Sequence, residues 1–342
     1  QSNVDDFTLA CGADHRMLDN TDWRTRNGHV ALPAHPITVA AYLVDAADTV
    51  TAVGEKTYAS STLSAWVAAI NHYHRTAGHL QPSAHELVAA TLAGIRRDYA
   101  TAGDRPRTQR APLLVSDIRH LVDTARTRGV FAMEAMWTRF QPAVVALREL
   151  VADGAIGEVR SVQADLGVAR TYDPADRLFA LELGGGALLD LGVYVVSFAQ
   201  LLLGTPSTVT ATGSRYPTGV DAEAAILLGY DDGRSATLLT SLRQSLPGQA
   251  RVFGTEGWID VLPRFHHPDT IVLHRAGADP ERITRPQTGT GYAHELIEVT
   301  ECLRAGRTES AVMPLADTLA VQEVLGQAAD QLGVRHVDAA GF

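Results

Sequence analysis

Between Val39 and Tyr99 apolar residues return at three- and four-residue intervals, whereas from Ser207 to His274 they alternate with polar ones. The change of period predicts helices first and strands later. In the first stretch Val39, Tyr42, Leu43 and Ala46 share one face of a helix beginning near Thr38, just past Pro36. Gly54 to Ser60 reads as a break. Leu63, Trp66, Val67, Ile70 and Tyr73 then mark a longer helix, which Gly78 ends before Pro82 restarts the chain. Val88, Leu92, Ile95 and Tyr99 trace a further helix. With no strand signal here, a bundle of four or so helices is expected.

Asp117 to Arg128 also reads as helical. Val130–Ala135 is a short apolar run, taken as a strand, and Pro142 opens a helix with Val144, Leu147 and Val151 inward and Gly154 at its end. Strands are predicted at Glu158–Leu166, Ser207–Ser214, Glu223–Tyr230, Arg234–Leu242, Arg251–Phe253, Trp258–Val261 and Ile271–His274. Asp232-Gly233 between two of them signals a hairpin with a type I′ turn. Helices Ala293–Leu303 and Ala316–Leu332 close the pattern, the latter with Leu319, Val324 and Ala328 inward. The expected organisation is a helical domain over 1–115, a junction helix over 116–128, and an α+β domain over 129–342 with a large, mainly antiparallel sheet.

Composition narrows the picture only a little. The 342 residues, 46% hydrophobic and 20% charged, suit about two soluble domains. The net charge is −10, yet the first 110 residues carry 10 Arg/Lys against 11 Asp/Glu, so the acidity lies in the remainder. An acidic second part is a poor partner for nucleic acid or membrane. Cys11 and Cys302 match no metal or redox spacing and read as free thiols in a reducing cytosol, and no metal site is expected. No apolar run approaches membrane-spanning length. The chain begins with Gln1 rather than Met and so reads as a fragment, a processed product or an incomplete gene product. Lys56 is the only lysine.

Trp23, Leu32-Pro33-Ala34 and Val39-Ala40-Ala41-Tyr42-Leu43, followed by the helices at 62–74 and 87–97 and by Ala111-Pro112-Leu113-Leu114, resemble the core-binding domain of tyrosine recombinases. The resemblance implies a SAM-like helical bundle that clamps one face of duplex DNA. Arg96, Arg97, Arg105, Arg107 and Arg110 are the candidate phosphate contacts, with His72, His74 and Arg75 able to join the same surface. A solvated helix end and linker would explain the same arginines. The recombinase catalytic domain, with its paired arginines, His-x-x-Arg element and nucleophilic tyrosine, does not follow residue 115, so strand cleavage is excluded.

The most distinctive run is Gly184-Gly185-Gly186-Ala187-Leu188-Leu189-Asp190-Leu191-Gly192-Val193-Tyr194. Three glycines admit close backbone approach, and a following helix would carry Asp190 and Tyr194 on one face, where a carboxylate and a phenol can address one small molecule. By itself this is also what a turn and a helix cap look like. Taken with Gly129–Phe140, Arg177-Leu178-Phe179, Gly291-Tyr292-Ala293-His294-Glu295, Glu309-Ser310 and Pro314-Leu315-Ala316-Asp317-Thr318, however, it resembles the Gfo/Idh/MocA oxidoreductases, particularly their dihydrodiol-dehydrogenase-like branch. The resemblance implies hydride transfer between NAD(P) and a carbinol carbon of a sugar or diol, often in a dimer paired through the sheet. It assigns Tyr194 to acid–base work and Asp190 to the neighbouring carboxylate. Trp137, Arg139, Gly185 and Gly186 then fall near substrate or nicotinamide, with packing an equal alternative for Trp137.

That family opens with a dinucleotide-binding domain, and this sequence contains no Gly-x-Gly-x-x-Gly. The family's Glu-Lys-Pro is absent from 105–128, and Glu55-Lys56-Thr57 imitates it about 70 residues too early. The expectation is an oxidoreductase substrate domain behind a recombinase-like bundle, inactive alone and binding no NAD(P). The alternatives are a DNA-binding protein that dimerises through its sheet, or a fusion without function.

Overall fold

A computed structural model describes residues 33–51, 54, 56–102, 113–289 and 291–335. Cys11, Trp23, Arg105, Arg107, Arg110 and most of the linker lie outside them. The chain divides into two compact units, Gln1–Thr108 and Gln109–Phe342.

The first unit contains three α-helices among the described residues, α1 (Pro36–Asp48), α2 (Ser60–Thr76) and α3 (Glu86–Ala102), with a 3₁₀ turn at Pro82–Ala84. Pro36 sits in the first turn of α1, where its missing N–H removes no bond. The periodic residues form the core. Trp66 stacks on Tyr42 and meets the edge of Tyr58, and Tyr99 donates from its hydroxyl to Ala47 O. Lys56 donates to Ala47 O at 2.7 Å beside the Tyr99 ring, so the lone ammonium is a local clasp. His74 corrects an expectation. It is buried, not a surface contact, donating from Nδ1 to Ile70 O and accepting the Ala34 N–H at Nε2.

The second unit is α+β. Its strands are β1 (Val159–Gly167), β2 (Thr208–Arg215), β3 (Asp221–Gly229), β4 (Ser235–Ser241), β5 (Ala250–Gly254), β6 (Gly257–Val261), β7 (Thr270–Arg275) and β8 (Glu281–Thr284). They form one sheet in the order β2-β3-β4-β1-β5-β6-β7-β8. Only β1 and β4 run parallel, with Val162 opposite Ala236; the other pairs are antiparallel. Its helices are α4 (Val115–Arg128), α5 (Pro142–Ala152), α6 (Val193–Leu203), α7 (Ala293–Arg304) and α8 (Leu315–Leu332).

Alternation puts Val162, Ala164, Ile226, Leu238, Val252 and Ile259 on one sheet face, in a single core with residues of α5, α6 and α8. Burying each of the larger aliphatic chains there contributes about 1.5–3 kcal/mol. The segment Leu181–Leu203 is apolar enough to cross a membrane by length, but it is mostly buried as this core helix. Helix α4 packs on α8 through Val122, Ala125 and Leu315.

Three expectations change. Val130–Ala135 forms no strand and joins no sheet among the described residues. β8, a four-residue polar edge strand, was not anticipated. The Asp232-Gly233 turn is not type I′. Gly233 donates to Tyr230 O and has φ +80, while Asp231 and Asp232 have no positive φ. Since type I′ needs positive φ at both central residues, this is a three-residue loop closed by a left-handed glycine.

Candidate functional site

The glycine run is shaped by what lies behind it. Gly186 has φ +116, and a Cβ there would collide with the Asp221 carboxylate; a Cβ on Gly185 would stand 2.7 Å from Leu178 O. Their N–H groups donate to Leu178 O and Ala180 O respectively. Both glycines therefore serve chain packing, their amides taken up by backbone carbonyls. Asp221 is fully buried and accepts the Leu188 N–H at 2.7 Å, fixing the helix start. Burial raises its pKa to about 6, against the backbone N–H groups that favour the charge.

From that anchor the chain makes one π-helical turn, Leu188–Gly192, before entering α6. Single π turns recur at functional sites because they re-aim side chains. Asp190 lies within this turn and Tyr194 just beyond it, both half-buried. Arg177 donates to Asp190 Oδ1 at 2.7 Å. Burial raises the Tyr194 pKa above the ordinary phenol value, and the neighbouring Tyr292, Asp190 and Glu295 add to that. The phenol is thus held protonated.

Facing Tyr194 is an aromatic wall. The His266 ring lies 5.3 Å from it, and Trp137 stacks on Tyr292 at 4.3 Å with His267 alongside at 5.2 Å. Gln141, buried, donates to Trp137 O and Gly291 O, holding these segments together. Burial lowers the His266 pKa to about 4, with His267 and Arg264 acting in the same direction, so the imidazole is neutral near pH 7. Glu295 is buried, with Oε2 lacking a hydrogen-bond partner among the described residues, and burial raises its pKa. Just ahead of the histidines, Arg264 has φ +66, a strained backbone for a side chain of that size.

Arg139 follows Trp137 by two residues yet points into the protein. It is 1% exposed and donates to Asp317 at 2.5 Å, Gln200 at 2.5 Å, Val312 O at 3.1 Å and Ser197 at 3.3 Å. Its guanidinium ties these segments together. Trp137, Asp190 and Tyr194 share one site, joined by His266, His267, Tyr292 and Glu295, which were not singled out as site residues. Tyr292 and Glu295 stood within a quoted motif, and the paired histidines were a visible oddity. No local pattern connects His266 to Tyr194. No cluster of three or more metal-ligating side chains occurs among the described residues. In the first unit Arg96 and Arg97 are exposed, Arg96 donating to Ser64 Oγ.

Residues 144–260 match the GFO/IDH/MocA C-terminal domain. The trans-1,2-dihydrobenzene-1,2-diol dehydrogenase of Xenopus tropicalis is 37% identical over 228 residues, covering 65% of this chain and 68% of that protein. The chain belongs to the Gfo/Idh/MocA family. The Bos taurus enzyme of the same name is 33% identical to this Gfo/Idh/MocA chain over 72% of it and 74% of the relative. The aldose-aldose oxidoreductase of Caulobacter crescentus, solved with glycerol, superposes with TM-score 0.57 and 26% identity over 64% of this chain and 67% of that one. A 3-ketoreductase from Actinomadura kijaniata, solved with NADP and TDP-benzene, shares the fold with TM-score 0.55 and 21% identity, over 64% of this chain and 68% of its own. The second unit is thus a Gfo/Idh/MocA oxidoreductase domain, and the helix bearing Asp190 and Tyr194 lies inside the matched residues.

Proposed function

We propose that this chain carries the substrate-holding half of an NAD(P)-dependent oxidoreductase acting on the carbinol of a small diol or sugar, and that it is silent alone. The observation that carries the reading is Tyr194 itself: a protonated phenol, beside Asp190, facing a wall of Trp137, His266 and Tyr292. Tyr194 exchanges a proton with the substrate hydroxyl, and Asp190, oriented by Arg177, accepts a hydrogen bond from the adjacent hydroxyl. The neutral His266 and Trp137 offer apolar faces with polar edges, which suits a ring or carbon chain carrying hydroxyls.

The described residues around Tyr194 do not fit a dinucleotide. The amides of Gly185 and Gly186 are already spent on carbonyls, and the Asp221 carboxylate behind them repels phosphate. Burial raises the Tyr194 pKa, and among the described residues no cation acts to lower it. Saturation-transfer NMR of the purified chain with glycerol, aldoses and cyclic trans-diols tests the reading. Contact signals are expected from a diol or sugar and lost in Trp137→Ala. Absence of contact from the whole panel would overturn it.

A second reading rests on the exposed Arg96 and Arg97 of α3 and the half-exposed Leu227 and Trp258 of the sheet. In it the first unit binds duplex DNA and the open sheet face pairs two copies. Affinity falling steeply with added salt would support it, and no shift at low salt would remove it. In either reading the setting is the cytosol, where buried Cys302 stays a thiol.

A further inference from the structure

We infer that the site beside Tyr194 takes a substrate with a protonated amine next to its hydroxyl, an amino alcohol or an amino sugar, and that the Glu295 carboxylate holds the ammonium. The inference rests on the reading of Tyr194 as the residue that addresses a carbinol.

Glu295 is 8% exposed, yet among the described residues no hydrogen bond or ion pair reaches its carboxylate. Its Oε2 is sealed from solvent without a partner, whereas Oε1 is not among the sealed atoms. Its place in the chain does not account for this. Glu295 is the third residue of α7, where an acid commonly reaches back to the N–H of the capping residue. No such bond to Tyr292, the capping residue, is found among the described residues. Burial alone raises its pKa, so no charged neighbour among them compensates it. A buried carboxylate in this state calls for a donor or a cation from a ligand.

The other charges at the site are already engaged. Asp190 is paired with Arg177 at 2.7 Å, and Asp221 accepts the Leu188 N–H behind the glycines. Arg139 is bound to Asp317, and Arg264 acts on His266 and His267. Glu295 acts on the Tyr194 phenol, so the two lie close. In the same wall Gln141 donates through Nε2 to two carbonyls, which fixes the orientation of its amide, and its buried Oε1 accepts nothing among the described residues. Trp137 Nε1 is a buried donor in the same state. The wall thus offers an N–H to a hydroxyl oxygen, and acceptors to a group rich in donors. An ammonium has three N–H donors and no acceptor. Trp137 covers one face of the Tyr292 ring, and that ring is 52% exposed, so its other face is open to a cation. A bound ammonium also offsets the Glu295 charge that helps to keep the proton on Tyr194.

The test compares trans-2-aminocyclohexanol with trans-1,2-cyclohexanediol, and glucosamine with glucose. Within each pair an ammonium replaces one hydroxyl. Each probe is titrated by NMR near neutral pH into the purified 342-residue chain. The amine of each pair should bind about tenfold more tightly or better, as a hydrogen bond to a charged group allows. It should also shift the Trp137 indole N–H resonance. Glu295→Gln, which keeps the shape, should lose the margin while the diol and glucose contacts stay. Glu256→Gln, at an exposed carboxylate, should keep it, which separates the site from the general pull of an acidic chain. Equal binding within the pairs overturns the inference on the wild type alone. So does an amine that leaves the Trp137 resonance unmoved, and so does a margin that survives in folded Glu295→Gln. Neutral probes that bind without a margin for the amines leave the carbinol reading standing and remove the ammonium, whereas no contact from any of the four removes both.

Discussion

Replacing Asp221 by asparagine tests how the site is anchored. The carboxyl is buried at the start of the helix that carries Asp190 and Tyr194, and its folded pKa is about 6 against the ordinary carboxyl value of 3.8. An acid with a raised folded pKa loses its proton first in the unfolded chain. Stability from this group is therefore greatest below pH 3.8 and declines as pH rises through 6. The full effect is roughly 3 kcal/mol, and about 1.4 kcal/mol of it falls between about pH 5 and pH 7.5. The shift already includes the favourable Leu188 N–H bond, so no separate amount is added for it. Urea unfolding of both proteins at several pH values is the assay. Titration of every other group cancels in the difference between them. Asp221→Asn should gain on the wild type by about 1 kcal/mol across that interval. Parallel pH profiles would refute the claim that a buried carboxyl ionises here.

Arg139→Met should destabilise the second unit by about 3–5 kcal/mol, because it strands Asp317 and Gln200; removing Asp317 as well should recover part of that in the same melts. His266 has the opposite linkage to Asp221. Its folded pKa of about 4 lies below the unfolded 6.5, so stability is lost as pH falls between them. His266→Phe should flatten that loss by about 1 kcal/mol after discounting for solvent screening, and an unchanged slope would contradict the burial argument. Gly186→Ala should cost about 2 kcal/mol or more, since φ +116 and the Asp221 carboxylate both oppose a side chain; wild-type stability in that variant would show that the run is looser than described.

Much of the fold was legible because it depends on local periodicity. Leu63, Trp66, Val67 and Ile70 could face only one way on a helix, and β1 to β7 alternate. β8 escaped because Glu281–Thr284 is short, polar and at the sheet edge, where one face need not be apolar. The site was legible in part. Asp190 and Tyr194 could be paired from spacing on one helix. The value of a charge or a ring otherwise depends on distant partners: Asp317 is 178 residues from Arg139, and His266 is 72 positions from Tyr194. Arg139 thus looked like a binding cation when its neighbours make it a buried tie. His74 looked like a surface group for the same reason.

The most direct test of the silent-half account is a fluorescence titration of NADPH into the purified 342-residue chain, with no other protein present. No saturable binding should appear in the micromolar range, because Tyr194 has a substrate wall and, among the described residues, no pyrophosphate cradle around it. A micromolar dissociation constant would contradict the account.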